Sequence, residues 1–259
     1  MRIIRCEYDG RCYYGRLDGD NVILSCDIPT IRVSGGKKEV FWDTEEQSVP
    51  LSQVRLEAPC MPKKAVCVGL NYRDHADEFR QTIPSSPVLF IKPSTSLLGP
   101  GKAIQYPSMS KRVDYEAELV VVMGKLAKNI AENEALDYVL GYTCGNDVTA
   151  RDLQPQNGQW TVAKSFDTFM PLGPWIETDL DPSNLHIRSL LNGEVRQSSS
   201  TANLIFNVPS LIAYISQIMT LEPGDVIMTG TPSGVGPMKK GDHIVVEIEG
   251  IGQLENTIE

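Results

Sequence analysis

The sequence contains little histidine, and none of its cysteines is paired at the Cys-x-x-Cys spacing of zinc and redox sites. Three histidines and six cysteines are spread over 259 residues. This content excludes a disulfide-stabilised scaffold and argues against a zinc site built from histidine and cysteine. We expect reduced, mostly buried thiols, and oxygen ligands for any metal.

Long apolar runs and an excess of positive charge are also absent. No stretch approaches the roughly 18 consecutive apolar residues of a transmembrane helix, and the first ten residues lack the apolar region of a signal peptide. The 24 basic and 33 acidic residues give a formal net charge of −9, which repels nucleic-acid phosphates and anionic lipids. We expect a cytoplasmic protein that binds neither nucleic acid nor membranes.

The remaining composition is that of a globular protein with a large domain and a small N-terminal one. Hydrophobic residues make up 41% of the chain, enough for a full core. Asp9-Gly10 and Asp18-Gly19 favour tight hairpins near the start, and prolines interrupt the sequence before the next apolar run. We predict a small β domain over residues 1–58 and a second domain over residues 59–259.

Strand patterns outnumber helix patterns in the second region. Apolar and alternating runs predict strands in AVCVGL, PVLFIK, YEAELVVVMG, LHIRSLL, EVRQS, DVIMTG and HIVVEIEG. Helical spacing predicts helices in ENEALDYVL and PSLIAYISQIMTL. Because the strands do not alternate regularly with helices, we predict a β-rich α+β fold rather than a doubly wound sheet.

Two carboxylates, Glu116 and Glu118, lead into one of these apolar runs. In a strand they share one face about 6.7 Å apart, where two ionised groups repel by roughly 2.5 kcal/mol at an effective dielectric constant of about 20. A divalent cation would neutralise them, and oxygen ligands favour Mg²⁺, Mn²⁺ or Ca²⁺. A solvated edge, where water and salt screen the repulsion, is the alternative explanation.

Asp147 is a candidate third ligand. It follows a predicted strand in GYTCGNDVTARD, at a turn where a rigid scaffold commonly carries ligands. The same position also fits a helix or turn cap, formed by Asp147 or by Asp152.

His75 and Glu78 lie in a polar segment directly after an apolar strand. On a short helix they are i, i+3 neighbours, and a carboxylate beside an imidazole orients it and raises its basicity. Such a dyad can deprotonate water near neutral pH. A chance pair on a surface helix has the same spacing.

Lys164 lies in a mostly apolar stretch. A buried ammonium needs a negative partner, which would be a carboxylate or an anionic substrate. A lysine whose ammonium reaches solvent is the alternative.

Seven motifs occur in an order that resembles the fumarylacetoacetate hydrolase family over nearly all of residues 63–259. They are VGLNYRDHADE, PVLFIKPSTSLLGPG, DYEAELVVVMG, GYTCGNDVTARDLQ, WTVAKSFDTFMPLGPW, LNGEVRQ and IMTGTPSGVG. Residues 1–58 look like the small N-terminal domain of bacterial members. Chance is a poor explanation for so many motifs in order.

The resemblance implies a mixed β-sandwich roll with a metal at its open end, in a protein that forms a homodimer. The implied ligands of Mg²⁺ or Mn²⁺, or of Ca²⁺ as a substitute, are Glu116, Glu118 and Asp147. The implied catalytic residues are His75, Glu78 and Lys164. Substrate contacts are implied for Arg151, Gln154, Lys92 and Thr231.

The resemblance also implies a small-molecule 2-oxo acid as the substrate, because similar enzymes act on acylpyruvates or on 2-hydroxyhepta-2,4-diene-1,7-dioate. The metal would stabilise the enolate that forms when a C–C bond to C3 of such an acid breaks. We expect C–C bond hydrolysis in the catabolism of aromatic-derived compounds. Isomerisation of the diene-dioate and decarboxylation of oxaloacetate remain open, because the same site permits all three. A metal-stabilised binding protein without activity is a more remote alternative.

Overall fold

Strands predominate in the computed structural model, which describes residues 1–34, 37–42, 47–74, 84–156 and 158–259. The strands are β1 (Arg2–Tyr8), β2 (Arg11–Asp18), β3 (Asn21–Ser25), β4 (Thr30–Ser34), β5 (Lys37–Phe41), β6 (Gln47–Pro50), β7 (Arg55–Glu57), β8 (Ala65–Gly69), β9 (Val88–Lys92), β10 (Leu97–Leu98), β11 (Ala103–Ile104), β12 (Val113–Tyr115), β13 (Ala117–Met123), β14 (Val139–Asn146), β15 (Thr149–Ala150), β16 (Met170–Glu177), β17 (His186–Leu191), β18 (Glu194–Ser200), β19 (Val226–Met228), β20 (Gly236–Met238), β21 (His243–Ile248) and β22 (Gly252–Ile258). The α-helices that lie wholly within the described residues are α1 (Thr161–Lys164) and α2 (Val208–Ile218). Short 3₁₀ helices occur at Leu51–Gln53, Ser94–Ser96, Glu132–Tyr138, Arg151–Leu153 and Thr201–Asn203.

A mixed 12-stranded sheet forms the frame of the described residues. Its main path runs β6-β3-β2-β1-β16-β14-β13-β19-β8-β9, with β10 paired to β16 and β7 paired to β1. A 5-stranded sheet has the order β11-β22-β21-β17-β18, and a 3-stranded sheet has the order β15-β12-β20. Most neighbours are antiparallel, whereas β19 with β8, β10 with β16 and β11 with β22 are parallel. The predicted β-rich fold with mixed sheets is confirmed.

Strand β13 separates two cores. Leu119 and Val121 pack with α2 and the 5-stranded sheet, whereas Val120 and Val122 pack on the opposite face. Because side chains alternate along a strand, a strand covered on both faces needs apolar residues at every position. This explains the continuous apolar run after Glu118, and it places that carboxylate at the end of a fully buried strand.

One helix prediction is confirmed and the other is wrong in kind. Helix α2 follows Asn207, whose side chain accepts a hydrogen bond from the backbone N–H of Ser210. The segment ENEALDYVL instead forms a 3₁₀ helix that ends at Tyr138, because Val139 already pairs with Met123 in the large sheet. Among the described residues, no helix is long and apolar enough to cross a membrane.

The N-terminal strands continue the large sheet. Strand β1 pairs with β16 through Arg2–Glu177 and Ile3–Ile176, so backbone hydrogen bonds join the first strands to the region beyond residue 59. The Asp9-Gly10 hairpin forms as expected, whereas the next turn is centred one residue later than expected, since Asp18 pairs with Asn21. The division into domains after residue 58 stays a prediction.

All six cysteines are free thiols. Four are buried, and Cys12 and Cys26 are exposed. Burial raises the pKa of the Cys6 thiol to about 11 and that of the Cys60 thiol to about 12. The expectation of reduced, mostly buried thiols agrees with this arrangement.

Candidate metal centre

Three buried carboxylates meet where β12, β13 and β14 come together. One oxygen from each of Glu116, Glu118 and Asp147 lies within 4.8 Å of the others. Glu118 and Asp147 are 1% exposed and Glu116 is 6% exposed. The solvated edge that was the alternative for the two glutamates is therefore wrong. We call these three residues the carboxylate triad.

The triad is compact because the chain changes sheets at Glu116. A single strand was expected to hold Glu116 and Glu118 about 6.7 Å apart, but β12 belongs to the 3-stranded sheet and β13 to the 12-stranded sheet. At the junction, the N–H of Glu116 donates to the side-chain oxygen of Asn146 at 2.9 Å, and its carbonyl accepts from the N–H of Asp147 at 2.9 Å. These two bonds bring Asp147 beside the glutamates.

A backbone donor fixes Glu118. The N–H of Gly230 donates to Oε2 of Glu118 at 2.9 Å. Gly230 has a φ of +99°, and a Cβ there would lie 2.9 Å from the Cβ of Asn71. Only glycine satisfies both the left-handed backbone and the close approach. Gly230, the first glycine of the TGTPSG motif, therefore binds a member of the triad directly.

The Lys164 ammonium bridges two members of the triad. Lys164 ends the short helix α1, and its Nζ donates to Oε2 of Glu116 at 2.9 Å and to Oδ2 of Asp147 at 2.6 Å. The Phe90 ring centroid lies 5.1 Å from Nζ. Of the alternatives for this lysine, a buried partner carboxylate is correct, and a solvent-exposed ammonium is wrong.

The pKa values of the two glutamates are shifted in opposite directions. Burial, followed by the charges of Asp147 and Glu116, raises the pKa of Glu118 well above its ordinary value. Burial also acts to raise the pKa of Glu116, but Lys164 and Arg151 outweigh it and hold this pKa below its ordinary value. For Lys164, burial acts to lower the pKa, and Asp147 and Glu116 overcome it so that the pKa is raised.

Arg151 connects the triad to a fourth buried carboxylate, that of Asp114. Its Nε donates to Asp114 at 2.9 Å, and its two terminal nitrogens donate to Glu116 and to the side-chain oxygen of Gln154. Asp114 is fully buried and also accepts from Nε of Arg112 at 2.9 Å. Arg151 and Gln154, which the resemblance implied as substrate contacts, thus lie beside the triad.

Thr231 supports the backbone between the two glutamates. Its hydroxyl donates to the carbonyl of Ala117 at 2.9 Å and accepts from the side-chain amide of Gln197 at 2.8 Å. Gln197 in turn accepts from the N–H of Ala117 at 3.0 Å. A substrate contact by Thr231 stays a prediction.

Sequence reasoning missed the side chains that support the triad. Asn146, Gln197 and Asp114 are all buried. Asn146 binds the backbone of Glu116, Gln197 that of Ala117 between the two glutamates, and Asp114 the side chain of Arg151. Each lies inside a quoted motif, in GND, VRQ and DYE, but nothing in a polar residue's spacing marks it as a support. Burial, which the sequence does not display for isolated polar residues, distinguishes them.

Of the remaining candidates, only Lys92 lies at the triad in the described residues. Lys92 is fully buried, and its Nζ lies 2.7 Å from Oδ1 of Asp147. Asp152 accepts a hydrogen bond from the backbone N–H of Lys111 at 2.8 Å and from the hydroxyl of Ser110 at 2.6 Å, so it caps the turn before β12. His75 and Glu78 lie outside the described residues, so their dyad stays a prediction.

The donor set fits a hard divalent cation. Oδ1 of Asp147 is buried and accepts no aligned hydrogen bond in the described residues, although the Lys92 ammonium lies 2.7 Å away, and the triad offers only carboxylate oxygens. Such ligands suit Mg²⁺ or Mn²⁺ better than soft metals. Glu116, Glu118 and Asp147 would hold the ion.

Comparison with known proteins gives a consistent assignment. The model of the fumarylacetoacetate (FAA) hydrolase C-terminal domain matches residues 64–259. A protein of Archaeoglobus fulgidus is 56% identical over 209 residues, 81% of this chain and 84% of its own. The rat mitochondrial oxaloacetate tautomerase Fahd2a is 46% identical over 222 residues, 81% of this chain and 71% of its own.

A solved structure extends the likeness to the whole chain. The 5-carboxymethyl-2-hydroxymuconate delta-isomerase of Mycobacterium smegmatis is 41% identical, with a TM-score of 0.88, and the match covers 100% of this chain and 99% of that one. The motif resemblance and the expected roll-type fold are confirmed. The chain belongs to the fumarylacetoacetate hydrolase family.

Proposed function

We propose that the protein is a divalent-metal-dependent enzyme that interconverts the keto and enol forms of a 2-oxo acid. The position of Lys164 carries this proposal. Its buried ammonium contacts two of the three candidate metal ligands, so a substrate held at the triad lies beside a proton donor. Proton transfer to and from carbon is the step common to the reactions expected from the sequence.

Lys164 is suited to give a proton in the enol-to-keto direction. Its carboxylate neighbours raise its pKa, so the resting side chain is the ammonium. Nζ donates a proton to C3 of the enol, and the proton that leaves the enol oxygen restores the ammonium. The metal, when bound, supplies a Lewis acid that stabilises negative charge on the 2-oxo oxygen.

Arg151 is suited to bind the carboxylate of the substrate. A guanidinium has five N–H donors, more than its contacts with Asp114, Glu116 and Gln154 use. Its side chain is 27% exposed, so part of it is accessible from solvent. We assign Gln154, which accepts from Arg151, to the same subsite.

The names of two relatives support proton transfer over C–C cleavage. The rat relative is named an oxaloacetate tautomerase and the mycobacterial structure an isomerase. Both reactions move a proton through an enol, and neither requires water as a nucleophile. The described residues offer a buried ammonium, three clustered carboxylates and a partly exposed arginine for such a reaction.

Decarboxylation of oxaloacetate, which requires no attacking water, stays a further alternative. C–C bond hydrolysis of an acylpyruvate is the second candidate, and one observation favours it. Asn71 donates to the carbonyl of Thr229 at 2.8 Å, which places the residues that lead to His75 next to the loop that binds Glu118. His75 and Glu78 would then activate water for attack on the distal carbonyl.

A substrate panel tests the proposal. The protein with Mg²⁺ or Mn²⁺ is mixed in separate assays with enol oxaloacetate, an acylpyruvate and 2-hydroxyhepta-2,4-diene-1,7-dioate. The loss of enol absorbance is measured, and the products are analysed. We expect metal-dependent ketonisation without C–C cleavage, abolished in Lys164→Met and retained in Lys128→Met, a control at an exposed lysine. Cleavage products would favour hydrolysis or decarboxylation. Metal-dependent melting without any turnover would favour a binding protein.

The partners and location stay as expected from the sequence. We propose a cytoplasmic homodimer that acts on a small 2-oxo acid from aromatic catabolism and binds neither nucleic acid nor membranes. Size-exclusion chromatography with light scattering tests the dimer, and an elution at the mass of one chain would contradict it.

A further inference from the structure

Lys92 is enclosed by oxygen atoms at the end of β9. It is 0% exposed, and its Nζ lies 2.7 Å from Oδ1 of Asp147. The same ammonium donates to the backbone carbonyls of Val148 at 3.1 Å, Lys164 at 2.6 Å and Phe169 at 2.8 Å. Four oxygen atoms therefore surround one buried positive charge.

This environment leaves no role for Lys92 in contacting a substrate. An ammonium has three N–H donors, and the three carbonyls use them all. A buried charge is stable only when it is paired and hydrogen-bonded, and Asp147 supplies the opposite charge. Reaching a substrate would require Lys92 to leave these contacts.

The carbonyls that Lys92 binds come from three parts of the site. Val148 follows the metal ligand Asp147, Lys164 ends helix α1, and Phe169 precedes β16. One ammonium thus holds the backbone on which both Asp147 and Lys164 are carried. Displacing it would shift the carboxylate and the proton donor relative to each other.

The contact with Asp147 differs in kind from the others. Oδ1 of Asp147 accepts no aligned hydrogen bond, although Nζ of Lys92 is 2.7 Å away. The contact with Asp147 is therefore an ion pair, whereas the contacts with the three carbonyls are hydrogen bonds.

We propose that Lys92 is a positioning residue rather than a substrate contact. It is a fixed internal cation that pairs with the charge of Asp147 and fixes the positions of Asp147 and Lys164 relative to each other. The inference rests on the proposed function in one respect, namely that Asp147 binds a metal. The pairing of the Lys92 and Asp147 charges does not depend on the proposed function, because it concerns the metal-free protein.

The first test separates metal binding from substrate binding. In Lys92→Met, we expect metal affinity, measured by calorimetry with Mn²⁺ alone, to fall by about tenfold or more, the range for residues that support a ligand. At saturating metal, kcat for enol oxaloacetate falls and KM stays unchanged. The control is Lys63→Met, at a lysine whose side chain is 74% exposed.

The opposite pattern would overturn the proposal. A raised KM with unchanged metal affinity would make Lys92 a substrate contact, as the family resemblance implied. A lower melting temperature with both metal affinity and kcat unchanged would make it a purely structural lysine. If the wild-type protein binds no Mn²⁺, the proposed metal site fails, and the second test still judges Lys92.

The second test is a double-mutant cycle in the metal-free protein. We expect Lys92→Met to lower the melting temperature much more in the wild-type background than in the Asp147→Asn background. The reason is that the double variant lacks both charges of the pair, so that neither is left without its partner. If Lys92→Met does not fold, folding of the double variant supports the same conclusion. Additive losses, or a double variant that fails to fold when Asp147→Asn alone folds, would contradict charge pairing.

Discussion

The backbone N–H of Gly230 donates a hydrogen bond of 2.9 Å to Oε2 of Glu118, a residue 112 positions away in the sequence. Glu118 faces burial and two neighbouring carboxylates, all of which disfavour its charged form. The Gly230 donor opposes them by stabilising the carboxylate. The geometry at Gly230 is therefore coupled to the charge of a candidate metal ligand.

Gly230→Ala should destabilise the protein and weaken metal binding. The left-handed backbone alone costs an alanine about 1 to 2 kcal/mol, and its Cβ would also lie 2.9 Å from that of Asn71. We expect a total loss of about 3 kcal/mol in the free energy of unfolding, measured by urea denaturation. The control is Gly241→Ala, where φ is +89° and no atom lies within 4 Å of the added Cβ. Equal losses in the two variants would show that contact with Asn71 has no effect.

The pH dependence of the metal-free protein should report on Glu118. Its pKa is raised in the folded state, so the folded protein binds the proton more tightly than the unfolded chain, and the contribution to stability is lost as pH rises through the folded pKa. Glu118→Gln removes this loss, and its stability above pH about 4.5, the ordinary range of the group, should be higher and flatter. Urea denaturation across pH checks this, with the exposed Glu134→Gln as control. A wild-type slope retained in Glu118→Gln would contradict the assignment.

Lys164→Met should separate metal binding from catalysis. Loss of the ammonium removes the cation that Glu116 and Asp147 share. The loss of stability should stay below about 3 to 5 kcal/mol, the cost of a fully unpaired buried charge, because Arg151 and Lys92 still contact the two carboxylates. A divalent cation replaces the charge of the ammonium, so Mg²⁺ should raise the melting temperature of the variant more than that of the wild type. Ketonisation should fall by about 10²- to 10⁴-fold, as for loss of a general acid. Wild-type turnover in the variant would remove Lys164 from the mechanism.

His75→Ala should distinguish the two candidate reactions. If the protein hydrolyses acylpyruvates, loss of the general base lowers the rate by about 10²- to 10⁴-fold. Ketonisation of oxaloacetate needs no activated water and should persist. Both activities are measured at the same metal saturation. Hydrolysis at the wild-type rate in His75→Ala would exclude the dyad mechanism.

Residue type and order determined much of this protein. An apolar run identified β13, because a strand covered on both faces needs apolar residues throughout. The motifs identified the carboxylate triad, because their resemblance to the family named residues that spacing alone left ambiguous. Helix α2 followed from its apolar spacing, which is a local signal.

Only the tertiary structure decided how these residues work together. The sheet change at Glu116, the bond from Gly230 to Glu118 and the enclosure of Lys92 all join residues that are distant in sequence. A lysine in an apolar strand has the same sequence pattern whether its ammonium reaches a substrate or is bound by carbonyls. Its role is set by which oxygen atoms the folded chain brings around it, and that arrangement depends on long-range packing that residue spacing does not encode.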